Sequence, residues 1–273
     1  MTLGGVAKFL VVVVGLFIFA INLWVDYDIH HEENEAIALM DECEEISLQD
    51  SVLMRVINGR SWMEYMNSAG FCSSYNVPYQ DFDDAEWTRN NLNISYWIDD
   101  QDYWKQVYGQ IYADNRDHLQ SVQDSLLGIK AQQNLDRDAF ARVVVAFVQD
   151  IPYEYVIPEE CTGSETAPCN GNVTFGIYSP VEFLGAMHGD CDTRTVLLYT
   201  LLRNLGYEPL IINSKEYMHS MLALDVTSSG EDFEYNGKRY AYWETTNVGW
   251  LAGMLPPDMN NKDYWSVALD YEF

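Results

Sequence analysis

The chain has 273 residues, 48% hydrophobic and 14% aromatic, enough apolar material for a substantial core and too much for a disordered acidic tail. Its 15 Lys and Arg face 42 Asp and Glu, a formal charge of −27. That balance excludes nucleic acid as a partner, because a phosphate backbone is held by clustered cations, and it disfavours docking on anionic lipid heads.

Residues 9–25 (FLVVVVGLFIFAINLWV) hold no charge, and 3–25 hold only Lys8. This is about the length a helix needs to cross a bilayer, and Trp24 and Tyr27 suit its interface. Lys8 and the amino terminus precede the run, whereas ten acids and no Lys or Arg lie between Val25 and Ser51. The positive-inside rule then puts the N-terminus in the cytoplasm and the rest of the chain outside, periplasmic or extracellular. Ala20-Ile21-Asn22 is a poor cleavage site, so 1–25 reads as a signal anchor, with a cleaved signal peptide as the alternative.

Residues 26–135 read as an acidic, mostly helical membrane-proximal region. Val52, Leu53, Val56 and Ile57 fall on one helical stripe, and Tyr103, Trp104, Val107 and Ile111 on another. Residues 70–84, around Pro78, read as a loop, and 118–130 as an amphipathic helix. No chemistry is visible here, and the aromatics are expected to be packing residues.

A second unit is expected over 136–273. Phe140, Val143, Val144 and Phe147 make a helix face that ends at Ile151-Pro152. Residues 196–205 (VLLYTLLRNL) predict a buried helix, apolar around most of its circumference, with Gly206 closing it. Residues 209–212 predict a short buried strand. Residues 218–226 predict another, with His219, Met221, Ala223 and Asp225 on one face. Asn236-Gly237 within 233–242 predicts a hairpin whose second strand runs on through Tyr240, Tyr242 and Glu244.

The five cysteines fit an oxidising compartment. Cys161 and Cys169 bracket a turn-rich loop, CTGSETAPC, and read as one disulfide; Cys43 and Cys72 would form another. Cys191 is then the odd one, a candidate reactive thiol. His30, His31 and the acids near them lack zinc-ligand and EF-hand spacing, so neither a metal nor a cofactor is expected.

Three residues in chain order carry candidate chemistry: Cys191, His219 and Glu244. Cys191 lies at the start of the buried helix, where free N–H groups and the helix dipole favour a thiolate. The later strands can bring an imidazole and a carboxylate to it, the set that acyl transfer requires. Gln149 is a candidate neighbour of an oxyanion site. The surrounding words, GDCDTRTVLLYTLLRNLGY, YMHSMLALDV and RYAYWETTNVGW, resemble the transglutaminase-like superfamily over about residues 136–253. His219 is followed by Ser220 where Ala is usual, and Glu244 stands in place of Asp. The resemblance implies a papain-like α+β fold, its core Cys-bearing helix packed on an antiparallel sheet. It also implies Cys191 as nucleophile, His219 as general base, Glu244 as orienting acid and a protein or peptide substrate. The family also holds inactive modules that use the same cleft for binding a peptide or an envelope polymer.

The topology is directly testable. Protease added to intact cells or spheroplasts should digest the domain, and detergent should be needed to release the uncleaved chain. Release as a soluble protein lacking its first residues would instead identify a cleaved signal.

Overall fold

A computed structural model describes residues 46–50, 54–95 and 99–272. The hydrophobic segment 1–25 lies outside the described residues, as do Cys43, His30 and His31. No helix among the described residues is long and apolar enough to cross a membrane.

The architecture is mixed α+β. Strands β1 (Ile46–Asp50), β2 (Arg55–Glu64) and β3 (Ala69–Pro78) form an antiparallel meander. Helices α1 (Tyr79–Asn90), α2 (Asp100–Asn115), α3 (Gln120–Gln132) and α4 (Arg137–Gln149) follow. A two-residue parallel pair, β4 (Tyr155–Val156) with β5 (Cys169–Asn170), leads to α5 (Pro180–Ala186) and α6 (Cys191–Asn204). Then come β6 (Leu210–Ser214), β7 (His219–Leu224), β8 (Asp232–Tyr235), β9 (Lys238–Trp243) and β10 (Ser266–Leu269). These five make an antiparallel sheet in the order β10-β6-β7-β9-β8.

Residues 46–78 correct the helical reading of the membrane-proximal region. Val56 and Ile57 lie in β2, Val52 and Leu53 lie outside the described residues, and the expected loop 70–84 is β3 running into α1. The reason is the inward face of β2, which carries Asn58, Arg60 and Glu64 beside Trp62. Asn58 Nδ2 donates to the Leu184 carbonyl at 2.9 Å and Arg60 pairs with Asp150 at 2.5 Å. A buried strand face so rich in polar groups shows no alternation of hydropathy.

Nor does the core break at residue 135. Trp62, Phe71 and Tyr75 share one cluster with Phe140 and Phe147 of α4, Leu198 and Leu201 of α6, and Leu222 and Trp243 of the five-stranded sheet. Trp62 meets Phe147 edge-on at 5.1 Å between centroids and donates its indole N–H to the Val143 carbonyl at 3.2 Å. Helix α4 is therefore buried on nearly every side, between the meander and α6. The other face of the larger sheet packs Leu210, Ile212, Met221, Tyr240 and Tyr242 beneath Trp265.

The C-terminal expectations hold closely. Asp136 caps α4 by accepting the Ala139 N–H at 2.8 Å. Gly206, at φ 85°, follows α6, and Asn236 and Gly237 both take positive φ in the β8–β9 hairpin. Cys161 and Cys169 are disulfide-bonded. Cys72 is also disulfide-bonded, although its expected partner Cys43 lies outside the described residues.

One ion pair locks α1 to α5. Arg89 Nε and Nη2 reach the Glu182 carboxylate at 2.8 Å, and both side chains are almost wholly buried. Glu182 also completes a capping box with Ser179 at the start of α5. Arg89→Met should destabilise the protein by about 3–5 kcal/mol in urea denaturation, because it strands a buried carboxylate. The double variant with Glu182→Leu should recover much of that loss.

Candidate active site

Cys191 opens α6, the central helix, with Asp190 as its cap: the Asp190 Oδ1 accepts the Thr193 N–H at 3.1 Å. Gly189 precedes them in a tight approach. A Cβ there would sit 2.7 Å from Thr193 Cγ2 and 3.1 Å from the Phe183 ring, so a side chain would push the Cys-bearing turn out of place. Among the described residues Cys191 is the free cysteine, and it is buried.

Arg194, one turn into α6, holds the surroundings together. Its guanidinium is fully buried. Nε donates to the Gly189 carbonyl at 3.2 Å and Nη1 to the Val148 carbonyl at 2.8 Å, with a longer contact to Thr245 O at 3.4 Å. Nη2 donates to the Ile151 carbonyl. One side chain thus joins the turn before Cys191, the end of α4 and the residue after Glu244.

His219 begins β7, directly after a turn whose last residue, Met218, has φ 49°. Glu244 follows the last residue of β9. The two strands are neighbours, and His219 Nε2 donates to Glu244 Oε2 at 2.9 Å. Oε1 of Glu244 accepts the Thr245 and Thr246 N–H groups, each at 2.8 Å, and the Thr246 hydroxyl at 2.7 Å. Trp265 stands edge-on to the imidazole, at 6.1 Å between centroids.

Of the three sequence candidates, His219 and Glu244 are brought into direct contact. The Cys191 thiol lies against Ser220, the next residue along β7, and among the described residues His219 is hydrogen-bonded to Glu244 and not to Cys191. Gln149 is spoken for structurally: its Nε2 donates to the Glu244 carbonyl at 2.7 Å and the Trp250 carbonyl at 2.9 Å. Its amide holds the loop after β9 and is not free for an oxyanion.

The electrostatics reverse one expectation. Burial first, then the charges of Asp192 and Asp190, push the Cys191 thiol well above the ordinary thiol range, against the amide and hydroxyl of Ser220. The resting thiol is therefore neutral. For His219, burial opposes the charged ring, but the Glu244 hydrogen bond and charge outweigh it and raise the pKa. For Glu244, burial is outweighed by His219 and Thr246, and the pKa is lowered. Burial and the Asp192 charge raise Asp190 to about 7.

Sequence reasoning passed over Arg194, Asp190, Asp192 and Tyr108. The signal for Arg194 was present, a cation in the buried first half of the helix, but its partners are carbonyls and leave no mark in sequence. Tyr108, fully buried on α2, donates to Asp192 Oδ1 at 2.5 Å. Among the described residues no group of His, Cys, Asp and Glu could hold a metal ion.

No family model matches the chain, and no curated protein matches it. A crystal structure from Cytophaga hutchinsonii, provisionally named a cysteine protease, is similar over 73% of this chain with 12% identity and a TM-score of 0.29. The chain spans 60% of that protein's length.

The cap residue gives a pH test. A group whose folded pKa is raised from 3.8 to about 7 costs stability as pH rises through that interval. The Glu244 contribution, from a lowered pKa, is fully present above 4.5, and that of His219, from a raised one, is fully present below 6.5. Between about pH 4.5 and 6.5 Asp190 therefore contributes a decline, alongside the smaller one from Asp114, whose pKa burial also raises. Asp190→Asn, which keeps a capping oxygen, should flatten the stability–pH slope there by up to about 1.4 kcal/mol per pH unit. Urea denaturation across that range reads the difference.

Proposed function

We propose that the protein is a membrane-anchored, extracytoplasmic cysteine enzyme of papain-like, transglutaminase-like fold. It acts on an amide or related acyl carbon of a protein or peptide through Cys191, His219 and Glu244. The observation that carries this reading is the 2.9 Å His219–Glu244 hydrogen bond, one residue along the strand from the place where the free Cys191 thiol packs. The Cys161–Cys169 disulfide supports an oxidising location, and the charge-free run at 9–25 supports the anchor.

The roles follow from the protonation states. Ionised Glu244 only accepts, so it holds a His219 proton on Nε2; the unprotonated form of the ring then has its lone pair on Nδ1, and that form is the base. Because the resting thiol is neutral, Nδ1 takes its proton as Sγ attacks the acyl carbon. The resulting oxyanion is stabilised by the Cys191 N–H, one of the first-turn amides without an intrahelical acceptor. As the tetrahedral centre collapses, the imidazolium gives its proton to the leaving amine and a thioester remains. Water or a second amine then attacks, His219 again takes the proton, and the thiol is restored, giving hydrolysis or transfer.

A second reading has its own support. A neutral thiol with no hydrogen bond to His219 suits a catalytically silent module whose cleft binds a peptide or envelope polymer. p-Nitrophenyl acetate separates the two. An enzyme should release a burst of about one p-nitrophenol per chain, absent in Cys191→Ala. His219→Ala should slow that burst by roughly 10²–10⁴-fold, and Glu244→Gln should slow it less. A wild-type trace equal to that of Cys191→Ala would leave the binding module.

A further inference from the structure

We propose that the cavity beside His219 is the subsite for a cationic side chain of the substrate, a guanidinium or an ammonium, and that Asp192 is the carboxylate that selects it. This rests on the reading of Cys191 and His219 as an active site and names the class of substrate that site would take.

The cavity has a volume of about 610 Å³ and reaches His219 and Asp192. That is ample for one long side chain. Its walls come from the start of α2, the β6–β7 turn and the first turn of the Cys-bearing helix, and each supplies carboxylates: Asp99 and Asp100, Glu216, and Asp192. The opposing cation in the lining, Lys215, is already ion-paired with Asp100. Lys215 also lies within the influence of Glu216, and Asp99 caps α2 by accepting the Asp102 N–H at 2.9 Å. Asp192 is left, among the described lining residues, facing the space with His219 and no Lys or Arg set against it. Trp104 adds an aromatic wall, stacked on Tyr108 at 5.3 Å between centroids. Carboxylates together with an aromatic surface recognise a cation through charge-assisted hydrogen bonds and ring contact.

Asp192 is the member best fitted to discriminate. Tyr108 holds its Oδ1 at 2.5 Å and leaves Oδ2 for a ligand, so the carboxylate is oriented before anything binds. It is also the residue next to the nucleophile. Its charge disfavours a thiolate at Cys191. A bound cation would offset that repulsion, so the substrate itself would ease deprotonation of the thiol.

The test compares two ligands of the same shape, Nα-acetyl-arginine methylamide and its neutral counterpart Nα-acetyl-citrulline methylamide. The detergent-solubilised full chain, labelled with ¹⁵N, is titrated with each while the Trp104 indole and His219 ring resonances are followed. The arginine compound should bind about tenfold more tightly, as expected for two partly exposed charge contacts. Asp192→Asn keeps an acceptor for Tyr108 and should bring the two affinities within about twofold. Equal binding of the two compounds, no binding of either, or a preference unchanged in Asp192→Asn would overturn the assignment. Turnover does not enter this readout. A cation preference without an ester burst would sink the enzyme and keep the subsite, and a burst without the preference would do the reverse.

Discussion

The guanidinium of Arg194 is the contact on which the centre of the molecule depends. A buried cation is tolerated only when its donors are used, and here backbone carbonyls use them: Gly189 before the Cys191 turn, Val148 and Ile151 at the end of α4, and Thr245 after Glu244. Carbonyls offer no formal negative charge, so the positive field is not cancelled by a local ion pair. Burial lowers the Arg194 pKa to about 10, still well above neutrality, while the carboxylates of Asp190 and Glu244 act to keep it charged. Structural tie and electrostatic counterweight are one side chain, and the elements that bear Cys191 and Glu244 are fixed to each other through it.

Around that cation the site sets two halves against each other. On the Glu244 side every interaction favours the ionised form: three donors on Oε1 and the imidazole on Oε2. On the Cys191 side the helix N-terminus favours the anion, a preference worth roughly 0.3–1 kcal/mol in ordinary cases. Full burial with carboxylates on both sequence neighbours works against it and wins. The outcome is a neutral thiol packed against Ser220, one residue along β7 from the imidazole held by Glu244.

The C-terminal half was largely legible because its local signals agree with its packing. Residues 196–202 of helix α6 are apolar around most of the circumference and buried all round, and Asn236-Gly237 needed no tertiary help to declare a turn. His219 and Glu244 could be picked out because the words around them resemble a family, and their contact followed from neighbouring strands. Residues 46–90 were not legible, since the inward residues Asn58, Arg60 and Glu64 are polar and satisfied only by partners far along the chain, such as Leu184 and Asp150. The thiol's protonation state was misjudged for a related reason. Position at a helix start is visible in sequence, and so are the flanking Asp190 and Asp192, whereas the depth of burial, the largest cause of the shift, is a property of the folded site.

The shared core also sets the order in which the polypeptide can mature during synthesis. The β1–β3 meander leaves the ribosome before the helices, but the aromatic face formed by Trp62, Phe71 and Tyr75 is covered by α4, which is made some sixty to eighty residues later. Until then a small sheet with an apolar face and open edges stands without its cover, the kind of surface on which nascent chains associate wrongly. The β1–β3 meander is thus a client of the segment that follows it. Translation must carry the chain past α4 before any of it can settle into its final form.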